Sequence, residues 1–242
     1  MAANGQLNFA SPQQRADLAT YLGRAARIED GALRIHAVTD RVVALWVPVL
    51  RPAGILDDSP LVIAVRAIPA TITNTDPADC YHGQFDAVVP LRGMLDRLAR
   101  TPDTDSDALH IPLPPDRLNE SWTGQRPPLT GWQATAELDA NALTQIAEAG
   151  IAEIGEQFSA VLGQIRAERA RTHTWTASLD EHTVTNTFDQ TAEVSLPPAG
   201  AAFAAHALGF LPLPSNAPVR CSVAPGWWRL AFPAGQVLVR RR

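Results

Sequence analysis

Hydrophobic spacing alone divides this chain into helices, strands and one long stretch that fits neither. After Ser11-Pro12, the segment QQRADLATYLGRA brings Leu18, Tyr21, Leu22 and Ala25 onto one face. That spacing predicts a helix with Ser11 at the cap and Pro12 at the first helical position, where a missing N–H costs nothing. Three strands are predicted next, over Ala32 to Val38, Arg41 to Leu50 and Leu61 to Ile68. In the first, Leu33, Ile35 and Ala37 alternate with Arg34 and His36, so the apolar set is expected inward and the polar set outward. In the second, both alternating sets, Val43/Leu45/Val47 and Val42/Ala44/Trp46, are apolar, which predicts cover on both faces and a central place. Thr39-Asp40 between them is short enough for a hairpin. Phe85 to Val89 reads as another strand, running directly into a helix, PLRGMLDRLAR, with Leu91, Met94, Leu95 and Leu98 inward.

From Thr101 to Pro128 the pattern breaks. Pro102, Pro112, Pro114, Pro115, Pro127 and Pro128 argue against a long helix or central strand, and predict an irregular connection anchored by Trp122 and Trp132. Asp139 then stands where it caps the longest helix, to about Arg169. There Leu143, Ile146, Gly150, Ile154, Phe158, Val161 and Ile165 form the inward stripe, while Glu148, Glu153 and Glu156 face away. Between residues 172 and 188, Thr172, Thr174, Thr176 and Ser178 share one strand face and Thr183, Thr185 and Thr187 another. A solvated edge hairpin with Asp180-Glu181 in its turn is the expectation. The last stretch predicts a helix, PPAGAAFAAHALGF, with Phe203, Ala207, Leu208 and Leu211 inward. A meander of Val219 to Val223, Trp227 to Phe232 and Gln236 to Val239 follows.

The two ends echo each other. Leu22-Gly23 closes the first helix and Leu33-Arg34 opens a strand; Leu208-Gly209 closes the late helix and Val219-Arg220 opens a strand at the same separation. A helix followed by three strands, twice, points to a duplicated unit. The expected fold is α+β, with antiparallel strands, about four main helices and two pseudo-related halves. Its expected divisions are an N-terminal α+β half over 9–100, a Pro-rich connection over 101–138 and a C-terminal α+β half over 139–242. The cleft where such halves would meet is a natural ligand or partner site.

Composition narrows the chemistry. All twenty basic residues are arginine; without a lysine amine, phosphate-loop nucleotide chemistry and Schiff-base chemistry are excluded. A lysine-free, Ala-, Arg- and Pro-rich chain most simply reflects a GC-rich coding genome. An apolar content of 46% fits a folded globular protein. The net charge of -5 argues against a nucleic-acid partner, and the Arg240-Arg241-Arg242 tail reads as a solvated end. Cys80 and Cys221 form no disulfide framework or metal spacing. The N-terminal MAANGQLNFA lacks a signal-peptide pattern. Val42 to Leu50 and Ala199 to Leu211 are too short to cross a bilayer core of about 30 Å. A cytoplasmic protein with no membrane partner is expected.

The searches for catalytic constellations come back thin. Asp103-Thr-Asp105-Ser-Asp107 begins like a calcium loop, but Ala108 stands where glycine must turn and Pro114 where a bidentate glutamate belongs. His173 with Asp180-Glu181-His182 is the richest set of metal-capable side chains, and a polar hairpin tip explains it; no metal and no cofactor are expected. Cys80-Tyr81-His82 sits in a loop after Asp76-Pro77. GxSxG and GxGxxG are both absent. What remains is tryptophan with arginine: Trp122, Arg126 and Trp132 flank a Pro-Pro step, and Trp227 and Arg229 share one strand face, a spacing that predicts guanidinium stacking on indole. Those residue types anchor interfaces.

SPQQRADLATYLGR, Trp122-Thr123-Gly124, PPLTGW (Pro127 to Trp132), AGIAEI (Ala149 to Ile154), PAGAAFAAHALGFL (Pro198 to Leu211), WWRL and VLVRR together carry a resemblance to an uncharacterised family of actinobacterial-type proteins. It touches most of the chain outside 101–120 and 172–195 and implies no activity, cofactor or catalytic residue. The sequence therefore favours a non-enzymatic protein that binds a protein partner or its own copy through Trp122, Arg126, Trp132, Trp227 and Arg229. The alternative is a hydrolase or transferase assembled from Cys80, His82, His36 and Asp86.

Overall fold

Ser11 does cap the first helix: its Oγ accepts the Gln14 N–H, and Pro12 opens helix α1 (Pro12–Ile28) with Leu18, Tyr21, Leu22 and Ala25 buried. The computed structural model describes residues 5–52, 54, 57–100, 109–159, 172–188, 195–212 and 217–241. These divide into two compact units, Met1–Pro48 with Val65–Gln125 and Val49–Ala64 with Arg126–Arg242.

The first unit holds β1 (Gln6–Phe9), α1, β2 (Ala32–Thr39), most of β3 (Val42–Leu50) and of β4 (Val62–Thr73), β5 (Cys80–Tyr81), β6 (Gln84–Pro90), α2 (Leu91–Arg100) and β7 (His110–Pro112). Strand order is β5-β6-β2-β3-β4, with β1 pairing β4 and β7. All of β3 beyond Val42 is buried, as apolar residues on both faces dictate. Strand β6 runs straight into α2, which packs on α1. Buried Arg15 of α1 donates to the Leu98 carbonyl, satisfying one of the four carbonyls that a helix C-terminus leaves open. The Tyr21 hydroxyl donates to Leu45 O of β3 at 3.5 Å, and burial pushes its ionisation far above the usual range.

Arg34 corrects the expected inside–outside reading of β2. It is buried beside Asp86, with Nε and Nη2 donating to the two carboxylate oxygens at 2.7 and 2.8 Å. Its guanidinium also lies 5.1 Å from the centre of the Trp46 ring, its register partner on β3. Alternation finds apolar faces; a charge neutralised by a bidentate partner enters the same interior unannounced.

The second unit holds the remainder of β3 and β4, then β8 (Gln133–Leu138), α3 (Ala140–Ser159), β9 (Val184–Thr187), α4 (Gly200–Ala207), β10 (Val219–Ala224), β11 (Trp227–Phe232) and β12 (Gly235–Arg240). The strand order from β4 is β12-β11-β10-β8-β9. Strand β8 falls in the stretch expected to be irregular; one of its alternating sets is polar (Gln133, Thr135, Glu137) and the other is mostly alanine (Ala134, Ala136, Leu138), too small to announce a strand. Asp139 Oδ1 caps α3 by accepting from Asn141 and Ala142. Leu143, Ala147 and Gly150 are buried, and Ile146 and Ile154 half-buried. The Phe158 side chain, Val161 and Ile165 lie outside the described residues, as does the acidic run Asp103–Asp107.

Residues 172–176 are helical, which corrects the expected threonine strand. Trp175 explains the difference: it is buried, stacks on Phe203 with centroids 4.6 Å apart, and its indole fills the space over Gly150. Burying one indole outweighs the weak strand preference of scattered threonines. Asp180 accepts the His182 N–H and starts a single 3-10 turn, Glu181–Thr183, not a hairpin tip. The edge expectation holds for β9, whose only partner among the described strands is β8. Helix α4 is buried almost all round through Gly200, Ala201, Ala202, Ala204 and Ala205, where a single inward stripe was expected; Phe203 and Ala207 are half-buried. Small residues let its backbone approach α3 and the sheet closely.

The two units repeat one set of parts. In each, a helix (α1, α4) leads into a three-strand meander (β2-β3-β4, β10-β11-β12). A fourth strand (β6, β8) pairs with the first strand of that meander and runs directly into a second helix (α2, α3), which packs on the first. In the first unit the strand–helix pair follows the meander in the chain; in the second it precedes it. The sequence echo therefore marked the shared helix-plus-meander, and missed the strand–helix pair because its chain order differs.

Candidate functional site

The meander of the second unit has one buried face and one that is partly exposed. Leu230 faces Cys221 and Val237 in register, and all three are fully buried. Enclosure pushes the Cys221 thiol up to about 11, so it stays protonated and inert. On the opposite face, residues paired across strands form rows: Ala224, Trp227 and Arg240; then Ala134, Ser222, Arg229 and Leu238; then Glu137, Arg220, Ala231 and Gln236. Ala134, Arg220, Ala231 and Arg240 are exposed, whereas Trp227, Ser222 and Leu238 are buried.

Each tryptophan of this region carries an arginine. Arg229 lies 4.5 Å from the Trp132 ring centre, Arg240 5.6 Å from Trp227 and Arg241 5.0 Å from Trp228. The Trp132 indole is fixed by donating from Nε1 to Pro128 O at 2.9 Å, within the Pro127–Trp132 loop. Arg240 donates to Gly226 O at 2.9 Å and lies against the Pro225-Gly226 turn, where Gly226 has φ 74° and a Cβ would require the Arg240 guanidinium to shift. Arg229 is half-buried; its Nε is enclosed with no acceptor among the described residues. Desolvation lowers its pKa, the direction burial imposes on any cation.

The expected Trp227–Arg229 stack does not form. Neighbours two residues apart on a strand stand nearly 7 Å apart, whereas cross-strand partners stand about 5 Å apart, so Trp227 meets Arg240 from β12 instead. Trp132 and Arg229 are brought together by the fold. Trp122 is buried in a 3-10 turn, Ser121–Gly124, in the first unit, where it acts as a core anchor. Arg126 is exposed at the start of the second unit's long segment. Arg220, Arg240 and Arg241 were legible only through strand register.

The residues of the alternative, enzymatic reading have other occupations. Cys80 and Tyr81 pair with Phe85 and Gln84, so His82-Gly83 form a two-residue hairpin turn, both with positive φ. Cys80 Sγ donates to Asp76 O, His82 lies edge-on against Tyr81, and Asp86 is engaged by Arg34. His36 faces Asp86 in register from β2. Among the described residues no group of three or more His, Cys, Asp or Glu is placed to hold a metal ion, and no helix is long and apolar enough to cross a membrane.

Residues 2–115 match a domain of unknown function, DUF8010, and residues 127–242 match another, DUF8185. No curated protein matches the chain. Similar solved structures are DNA polymerase III beta chains. That of Streptococcus pneumoniae is 11% identical with TM-score 0.53, covering 98% of this chain and 64% of its own. A DNA polymerase III beta subunit from Eubacterium rectale is 12% identical with TM-score 0.53, at 98% and 64%. That of Borrelia burgdorferi, in complex with a natural product, is 10% identical with TM-score 0.52, at 99% and 65%. The chain thus spans about 65% of the length of these proteins, and the likeness is one of fold. Two consecutive stretches of the chain match domains of unknown function, and the fold is similar to part of a DNA polymerase sliding clamp.

Proposed function

We propose that this protein is a non-enzymatic binding scaffold that docks a protein partner on the arginine–tryptophan face of its second unit. The observation that carries the reading is the Pro127–Trp132 loop: Trp132 is pinned by its own loop carbonyl and by Arg229, while Leu129, three residues away, is 87% exposed. An apolar side chain displayed from a rigid Pro-Pro loop beside a stacked Trp–Arg pair has the anchor composition of an interface. The likeness in fold to DNA polymerase sliding clamps supports the same reading, and so do the structural occupations of Cys80, His82 and Asp86. Affinity capture from the native extract with wild-type protein and with Leu129→Ser/Trp132→Ala tests it. A partner retained by wild type and lost by the variant is expected; capture unaffected by the variant refutes it.

A second reading, contact with nucleic acid, has one observation in its favour. Arg24, Arg27, Arg92 and Arg100 are exposed on α1 and α2. Against it stand the net charge of -5 and α3, whose described residues carry Glu148, Glu153 and Glu156 and no basic side chain. Phosphate contacts make affinity fall steeply with salt; duplex DNA binding at low ionic strength that Arg24→Gln/Arg27→Gln abolishes would establish this reading, and absence of binding would remove it.

A further inference from the structure

We infer that the partner is read through a carboxylate: the sheet face carrying Arg220, Arg229 and Arg240 is a site for an acidic peptide segment that also presents an apolar side chain. This inference rests on the docking reading above and gives it a chemical class. The charge count on the face is lopsided within an acidic chain. Arg220, Arg229 and Arg240 project from it, and Glu137 is its one carboxylate among the described residues of β8 and β10–β12. Glu137 is already engaged by the Asn186 side chain at 3.5 Å. Arg220 and Arg229 have neither a carboxylate nor another acceptor among the described residues.

Arg229 is the centre of the site. A guanidinium holds its donors in one plane, the geometry that matches the two oxygens of a carboxylate. The Trp132 ring centre lies 4.5 Å from the Arg229 guanidinium. Desolvation of the half-buried cation raises the value of an incoming negative charge, because it replaces the water that the fold has already removed. Beside it in the register rows, Ser222 is small and buried, and Ala134 is small and exposed. Leu129 gives the apolar complement. A phosphate backbone would use the arginines but has nothing to set against Leu129, and it would be repelled by a chain of net charge -5. An acidic peptide uses both.

The test is fluorescence anisotropy with a labelled peptide of alternating Glu and Leu, its Gln–Leu counterpart, and a single-stranded thymidine oligonucleotide. The Glu–Leu peptide is expected to bind, weakening with added salt. Loss of one charge-assisted hydrogen-bonded contact predicts about tenfold weaker binding for Arg229→Gln. Arg220→Gln, at an exposed position that leaves the fold alone, is expected to weaken it by a smaller factor. Equal binding of the Gln–Leu peptide, no binding of the Glu–Leu peptide, or preference for the oligonucleotide each overturns the inference. A captured partner lost on Leu129→Ser yet indifferent to Arg229→Gln also overturns it, while leaving the docking reading intact.

Discussion

Gly150 and Gly155 sit on the same helix and answer opposite packing conditions. A Cβ built on Gly150 would lie 2.5 Å from both Cη2 and Cζ3 of Trp175 and 3.0 Å from Thr174 Cγ2; one built on Gly155 meets nothing within 4 Å. Ordinary carbon contacts stand at about 3.5–4.0 Å, so the indole would have to retreat by about 1 Å. It has little room to do so, being 2% exposed and stacked on Phe203 at 4.6 Å. Both substitutions to alanine gain about 0.8–1 kcal/mol of helix propensity. That term cancels between them, so the difference reads overpacking alone, about 1–3 kcal/mol. Urea unfolding followed by tryptophan fluorescence, with slopes shared between variants, measures it. Gly155→Ala is expected to stabilise by up to about 1 kcal/mol. Gly150→Ala should fall below it by about 1–3 kcal/mol, most of which Trp175→Phe restores in the double mutant. Equal stabilisation by both alanines would refute the wedged position of Trp175.

Further outcomes follow from the same structure. Arg34→Met removes the bidentate partner of the buried Asp86 carboxylate and should cost about 3–5 kcal/mol in denaturant unfolding, whereas Arg34→Met/Asp86→Leu should cost less than the single variant. Gly226→Ala forces a side chain into a left-handed turn against Arg240, and should lower the melting temperature through a loss of about 1–2 kcal/mol. Cys221, raised from 9.0 to about 11, stays protonated when folded but ionises sooner when unfolded. Stability should therefore be complete below about pH 9 and decline as pH rises toward about 11, and Cys221→Ala should flatten that slope. Native protein should react with a thiol reagent at Cys80 only, Cys221 following after denaturation.

Most of the framework was legible because its signals are apolar and local. Helix α1 with its Ser-Pro start, the two-sided β3 and the β10–β12 meander all follow from spacing within a few residues. The misses share a cause: they depend on partners distant in sequence. Arg34 looks solvent-facing until Asp86 arrives from β6. Thr172 to Thr176 look like a strand until Trp175 is needed between α3 and α4. The docking face was half legible, since Trp132 and Arg229 were singled out by type. Strand register, which no local pattern encodes, decided that Arg229 meets Trp132 and that Trp227 meets Arg240.

The scaffold reading meets its most direct test in photo-crosslinking from chosen surface positions in the native cell. A crosslinker at Leu129 or Ala231, both on the docking side of the second unit, should trap the same protein partner, and one at Ala152 on exposed α3 should not. Adducts from Ala152 alone, or none from Leu129 and Ala231, would contradict the account.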